Sequence, residues 1–392
     1  MAIDLVTIGV SPGARSRIRD AWCALEAAAP PSYFLSWGWV ETWLDALPAS
    51  AAGGLALHVV RRAGAPVVAF FLGARTRWRH RVLPSRELHW NETGFDDYDE
   101  ICIEYNGVVH DGAPPPLAEI LARLPRRWDE VYVPALDAED PLARGLIAGR
   151  ERLGLRLRVE GPVPSPMVDL AKVRGGGGDY LKLLGGSTRS QIRRSQKLYG
   201  ARGKLALELA ASPDQALAIF DELVALHRRS WRERGSAGAF IPFVHDFHRR
   251  LIERRFATGE VQLARVRAGD TTVGCLYNFV WNGSVAFYQS GLAYETDGRL
   301  KPGLVCHALA VDHAARAGLR WYDFLAGGSR YKQSLATDAR QLVWFRIQKP
   351  RLRFALEDLA RAVRDRVRAR RAAQAAAAEP AEAAEPAPAA DA

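Results

Sequence analysis

Cysteine is scarce in this chain, and Cys23, Cys102, Cys275 and Cys306 form neither a CxxC pair nor a Cys/His spacing. That excludes a zinc site and a disulfide framework and leaves them as small apolar side chains. No run of about 18 apolar residues is present, so no transmembrane segment is expected. Residues 1–10 lack the basic start and long apolar stretch of a secretory signal, which points to the cytoplasm. The acidic run Asp96-Asp97-Tyr98-Asp99-Glu100 does not have the order of a calcium loop, and no metal is expected. No Ser/His/Asp or Cys/His order for a covalent nucleophile stands out.

What is present is an ordinary globular composition, 48% hydrophobic and 25% charged, over 392 residues. That length suits two domains, each with its own core. A formal charge of +10 favours anionic partners: nucleic acid, acidic lipid or a phosphate-rich cofactor.

The first part reads as helices over 11–47, strands over 55–61 and 67–72 joined by a turn, a Pro-started helix to residue 124 and a strand over 128–133. Between them lies a basic patch, Arg75 to Arg81, read as a solvated strand face with nucleic acid as the alternative. The carboxylates from Asp96 to Glu100 flank a strand-like segment, 101–107. Close carboxylates raise one another's pKa and can bind an amine or take its proton; a solvated acidic turn is the alternative. Residues 161–166, with three prolines, read as a stiff linker without regular structure.

Beyond it come a helix over 187–199 carrying Arg189, Arg193, Arg194 and Lys197, two further helices, and strands over 261–267, 272–281 and 285–292 with an Asn282-Gly283 hairpin turn. Arg299-Leu300-Lys301-Pro302-Gly303-Leu304 then opens a helix. Proline at its first position needs no N–H partner, and glycine permits close approach of a ligand. Such an end favours phosphate, with Arg299 and Lys301 adding charge; a plain connector helix is the alternative. A strand over 321–325, a Gly-rich loop and a last strand over 341–348 complete this part. Both parts run helices, antiparallel meander, Pro-started helix, Trp-containing strand, and read as a tandem duplication.

At the end, Leu352, Leu356, Leu359, Val363 and Val367 form one stripe of an Arg-rich helix. The stripe is expected to dock on its own domain, with anionic lipid or RNA as the alternative. The domain plan is therefore 1–160, a linker at 161–166, 167–349, a basic amphipathic helix at 350–371, and a disordered Ala/Glu/Pro tail at 372–392.

The meander, the Lys301-Pro302-Gly303 helix start, the Trp321-Tyr322-Asp323-Phe324-Leu325 strand and Gly327-Gly328-Ser329-Arg330-Tyr331-Lys332 resemble the CelD/BcsL-type branch of the GNAT acetyltransferases, similar in layout to FemAB-like tandem GNAT proteins. The resemblance implies an α/β (α+β) fold of two tandem GNAT-like domains, each a mixed, largely antiparallel twisted sheet flanked by helices. It implies an N-acyltransferase using acetyl-CoA or another acyl-CoA, with pantetheine between strands 285–292 and 321–325 and pyrophosphate at the Pro302 helix. The acceptor would be a primary amine of a small molecule or of an envelope or polysaccharide precursor. The usual Arg/Gln-x-x-Gly-x-Gly/Ala loop is incomplete: after Arg299 only Gly303 is present, and FemAB relatives with the same gap use aminoacyl-tRNA. A third reading is a non-catalytic scaffold whose end helix meets a partner or the inner membrane face. On the resemblance, Tyr288 or Tyr331 would protonate the thiolate, and Asp323 or Glu295 would act as base or amine anchor. Gln289, Arg299, Lys301, Gly303, Leu304 and Lys332 would hold the donor, and Asn91, Glu92, Asp99 and Arg193 the acceptor.

Overall fold

The computed structural model describes residues 3–378 apart from 80–82, 126, 150, 152–153 and 237. Its strands are β1 (Ile3–Gly9), β2 (Leu55–Arg62), β3 (Ala65–Arg79), β4 (Leu83–Trp90), β5 (Val109–His110), β6 (Glu130–Asp137), β7 (Arg156–Asp169), β8 (Leu205–Leu209), β9 (Val261–Ala268), β10 (Thr271–Trp281), β11 (Ser284–Leu292), β12 (Trp321–Asp323) and β13 (Asp338–Gln348). They form one sheet in the order β1-β2-β3-β4-β6-β13-β7-β12-β11-β10-β9-β8, with β5 on β3. The run 67–72, rich in β-branched and aromatic residues, is buried on both faces and lies in β3, with a strand on either side.

The duplication is visible in the pairing. In the first half β2, β3 and β4 are antiparallel and β4 pairs β6 in parallel. In the second, β9, β10 and β11 are antiparallel and β11 pairs β12 in parallel. Each half is then completed by a strand from the other: β13 lies against β6, and β7 against β12.

This exchange corrects the expected linker, because residues 161–166 lie inside β7. Gly161 and Pro162 form a bulge opposite Val343, between the pairs Leu342–Val163 and Trp344–Glu160. The carbonyls of Pro164 and Pro166 accept from Gly327 and Phe324 at 2.9 Å. The N and C=O of one strand residue point to the same side, so the missing proline N–H groups face away from β13 and the ladder to β13 survives.

The halves also share a core. Tyr33, Phe34 and Trp39 from the first half pack on Phe247 and Phe279 of the second, with Tyr33 stacked 4.3 Å from Phe279 and Trp39 4.9 Å from Phe247. Two further cores lie one on each half, and each takes in the exchanged strand: Val343, Phe345 and Ile347 of β13 in the first, Val168 of β7 in the second. The basic strand face expected at Arg79 is instead ionically bound: Arg79 pairs with Glu87, Glu130 and Glu357 at 2.8–2.9 Å. His80 and Arg81 lie outside the described residues.

The end helix, Leu352–Ala378, runs on through residues 372–378, a correction to the expected disordered tail; the rest of the tail lies outside the described residues. Its apolar stripe does not dock. Leu352, Leu356 and Leu359 are 85%, 65% and 63% exposed, and Phe354 is buried instead. Among the described residues no helix is long and apolar enough to cross a membrane.

Candidate active site

β11 and β12 pair only over 284–286 and 321–323. Past Asp323 the chain turns to β7, while β11 continues beside β10 to Leu292. The strands diverge, and beside the far end of β11 lies a cavity of about 440 Å³, walled by Gln289, Ser290, Leu292, His307 and Tyr331 and ending at Lys301, Pro302, Gly303 and Leu304. Pro302 begins the helix Pro302–Arg316, so the first-turn N–H groups of Gly303 and Leu304 have no carbonyl four residues back. The turn is held from outside by the Lys301 N–H, which donates to Ser195 Oγ at 2.9 Å. A Cβ on Gly303 would stand 3.1 Å from Leu292 Cδ1, at the cavity end. These features suit a phosphate-bearing donor with an extended arm.

The equivalent gap in the first half is filled. β4 and β6 pair in parallel at 87–89 and 130–132, and segment 101–108 then enters between them. Asn106 N–H donates to the Ala135 carbonyl at 3.1 Å, Asn106 Nδ2 to the Trp90 carbonyl at 3.0 Å, and Trp90 Nε1 to the Gly107 carbonyl at 2.7 Å. The expected strand at 101–107 is thus an irregular plug with a single bridge, Asn106 to Leu136.

Of the residues singled out in the sequence, Gln289, Glu295, Lys301, Gly303, Leu304 and Tyr331 come together on the cavity. Tyr331 stacks on His307 with centroids 6.0 Å apart, and burial with Tyr294 nearby pushes its hydroxyl up to about 12. Glu295 is held by Arg202 in a two-bond pair at 2.8 and 2.9 Å. Arg299 is tied to Asp297, whose carboxyl it holds down to about 2; Arg299 is exposed and Asp297 half-buried.

Others lie elsewhere. Tyr288 points to the opposite face of β11, inside the shared core, and donates to the Ile101 carbonyl at 3.0 Å. Asp323 accepts from Tyr105, from Ser165 at 3.0 Å and from the Leu325 N–H at 2.7 Å, which leaves it as a junction between halves. Lys332 is not on the cavity: its ammonium donates to the carbonyls of Leu325 and Ala326 at 3.2 and 2.8 Å, and burial lowers its pKa. Asn91 is consumed by Phe71, Asn106 and Gly107. Asp99 holds the 93–94 turn through Thr93 and Gly94 at 2.7–2.9 Å. Glu92 is buried 3.9 Å from His89, and burial pushes it up to about 7. Arg193 is exposed, 3.9 Å from Asp179.

Sequence reasoning missed His227 and Ser290 on the cavity and, away from it, the buried Glu104. His227 Nε2 accepts from the Ala239 N–H at 3.2 Å, so the proton sits on Nδ1, 3.3 Å from the Ser290 carbonyl; burial lowers its pKa and keeps it neutral. The Ser290 N–H is covered by its neighbour Gln289 at 3.0 Å. Glu104, from the plug of the first half, accepts from the Ala326 N–H at 2.6 Å, and burial raises it to about 7. The helical spacing of His227 among core residues was the only available signal for these.

Residues 186–333 match the family model described as acetyltransferase (GNAT) domain, a range that holds the splayed strands and the cavity. The match falls within the second half of the chain, where fold and cavity are those of a GNAT-like domain. FemX is similar in structure over 87% of this chain and 96% of its own, with 11% identity and a TM-score of 0.54. So is a conserved protein of unknown function from Bacteroides thetaiotaomicron, over 88% of this chain and all of its own, with 10% identity and a TM-score of 0.52. At such identities the likeness is one of fold. No curated protein matches the chain.

Proposed function

We propose that the protein transfers an acyl group from an acyl-CoA to a primary amine of a small molecule or of an envelope or polysaccharide precursor. The observation that carries this is the cavity that runs beside β11, past its divergence from β12, and ends at a Pro-started helix. The Gly303 and Leu304 N–H groups and Lys301 would hold the pyrophosphate, and the β11 edge at Gln289 and Ser290 the arm. When bound, the donor supplies an activated acyl carbon. Once the Gln289 side chain swings aside, the Ser290 N–H is free to polarise the acyl oxygen, with His227 steadying the strand through the Ser290 carbonyl. Transfer takes a proton off the amine and puts one on the leaving sulfur. Tyr331 is the hydroxyl on the cavity wall suited to the second task. For the first, Glu295 is the carboxylate on the cavity wall, since Asp323 is taken up by the junction between the halves.

Calorimetry with acetyl-CoA and longer acyl-CoAs tests the reading. Lys301→Glu and Gly303→Asp should each weaken binding about tenfold or more by placing negative charge at the helix start. Absence of binding to every CoA thioester would overturn it.

A second reading, an aminoacyl-tRNA donor, is favoured by the helix Gly186–Gly200. It exposes Arg193, Arg194 and Lys197, with Arg189 half-buried beside them, and touches the cavity mouth through Ser195. It requires tRNA binding that falls steeply with salt.

A further inference from the structure

The helix Leu352–Ala378 is attached to the body by its charged side. Phe354 is fully buried under the guanidinium of Arg79, 4.9 Å from its ring centre. Arg353 donates to the Pro84 carbonyl at 2.6 Å and pairs with Asp129 at 2.5 Å, Glu357 pairs with Arg79 at 2.9 Å, and Asp358 with Arg156. At roughly 100° per residue, Leu352, Leu356, Leu359, Val363 and Val367 fall on the opposite side. All five are exposed, from 85% at the start to 43% at Val367. A surface helix ordinarily turns its apolar stripe inward; here the stripe is presented outward.

Residues 351–371 hold eight arginines against three acidic residues. Glu357 and Asp358 are spent on the body. Arg364, Arg366, Arg368, Arg370 and Arg371 are exposed and make no ion pair among the described residues. We propose that this helix lies on an anionic lipid bilayer, its apolar stripe in the acyl boundary and its arginines among the headgroups. Charge favours this occupant over a second copy of the chain. The line of the stripe continues into Arg366 and Arg370, so two copies meeting along it would bring like charges into one seam, whereas an anionic surface neutralises them.

Sedimentation of the full chain with vesicles tests the proposal. It should bind equal mixtures of phosphatidylglycerol and phosphatidylcholine and remain free of pure phosphatidylcholine. Leu356→Glu with Val363→Glu should abolish binding while leaving thermal unfolding unchanged, since both positions are exposed. Arg364→Glu with Arg368→Glu should weaken it about tenfold or more, at roughly 1 kcal/mol per charge. Failure to bind the anionic vesicles overturns the proposal, as does equal binding to both vesicle types or binding that survives Leu356→Glu with Val363→Glu. A dimer in sedimentation equilibrium that this double variant dissolves, without vesicle binding, would assign the stripe to a second copy.

Discussion

The hydroxyl of Tyr105, in the plug of the first half, donates to the carboxylate of Asp323, which ends β12 in the second half. Ser165, on β7, completes the junction from between them. The end of β12 is therefore fixed by residues from both halves. Tyr105→Phe should lower unfolding free energy by about 1–3 kcal/mol, because a buried carboxylate loses a partner. Urea denaturation measures this, and an unchanged midpoint would show that the junction carries no load.

Glu104 makes stability depend on pH. Its pKa is raised from 4.5 to about 7 chiefly by burial, with Asp323 adding and the Ala326 N–H and Lys332 opposing. A group raised on folding contributes stability that is fully present below its unfolded value and is lost as pH rises through its folded value. Wild type should thus lose stability relative to Glu104→Gln between about pH 4.5 and 7, in unfolding curves taken across that range.

Gly291 admits the helix Pro213–Arg232 against β11. A Cβ there would stand 2.7 Å from Leu223 Cα and closer to its carbonyl oxygen, both backbone atoms that cannot rotate away. Gly291→Ala should cost about 1–3 kcal/mol by overpacking, read from thermal or denaturant unfolding.

Tyr331→Phe should separate binding from turnover. If its hydroxyl protonates the leaving sulfur, acyl transfer falls on the order of 100-fold while acetyl-CoA affinity stays unchanged. Equal rates for the two proteins would remove Tyr331 from that role.

The expected strands from 261 to 292 and the helix at Pro302 stand within a few residues of their places, because each is marked locally: β-branched runs, an Asn-Gly turn, a proline start. Tyr331, Lys301 and Gly303 were legible for the same reason, lying on or beside the segment that forms the cavity end. Lys332, one residue past Tyr331, was not, since its direction depends on the carbonyls of Leu325 and Ala326 across the loop.

By itself the sequence determined the elements, the duplicated order and the Pro-started helix, all products of local propensity and periodicity. Only the tertiary structure decided that β7 and β13 cross between halves, that one gap between diverging strands is plugged while the other is not, and that the end helix turns its leucines outward. Those outcomes rest on contacts between residues far apart in the chain, such as Tyr105 with Asp323 and Phe354 with Arg79, which no local pattern encodes.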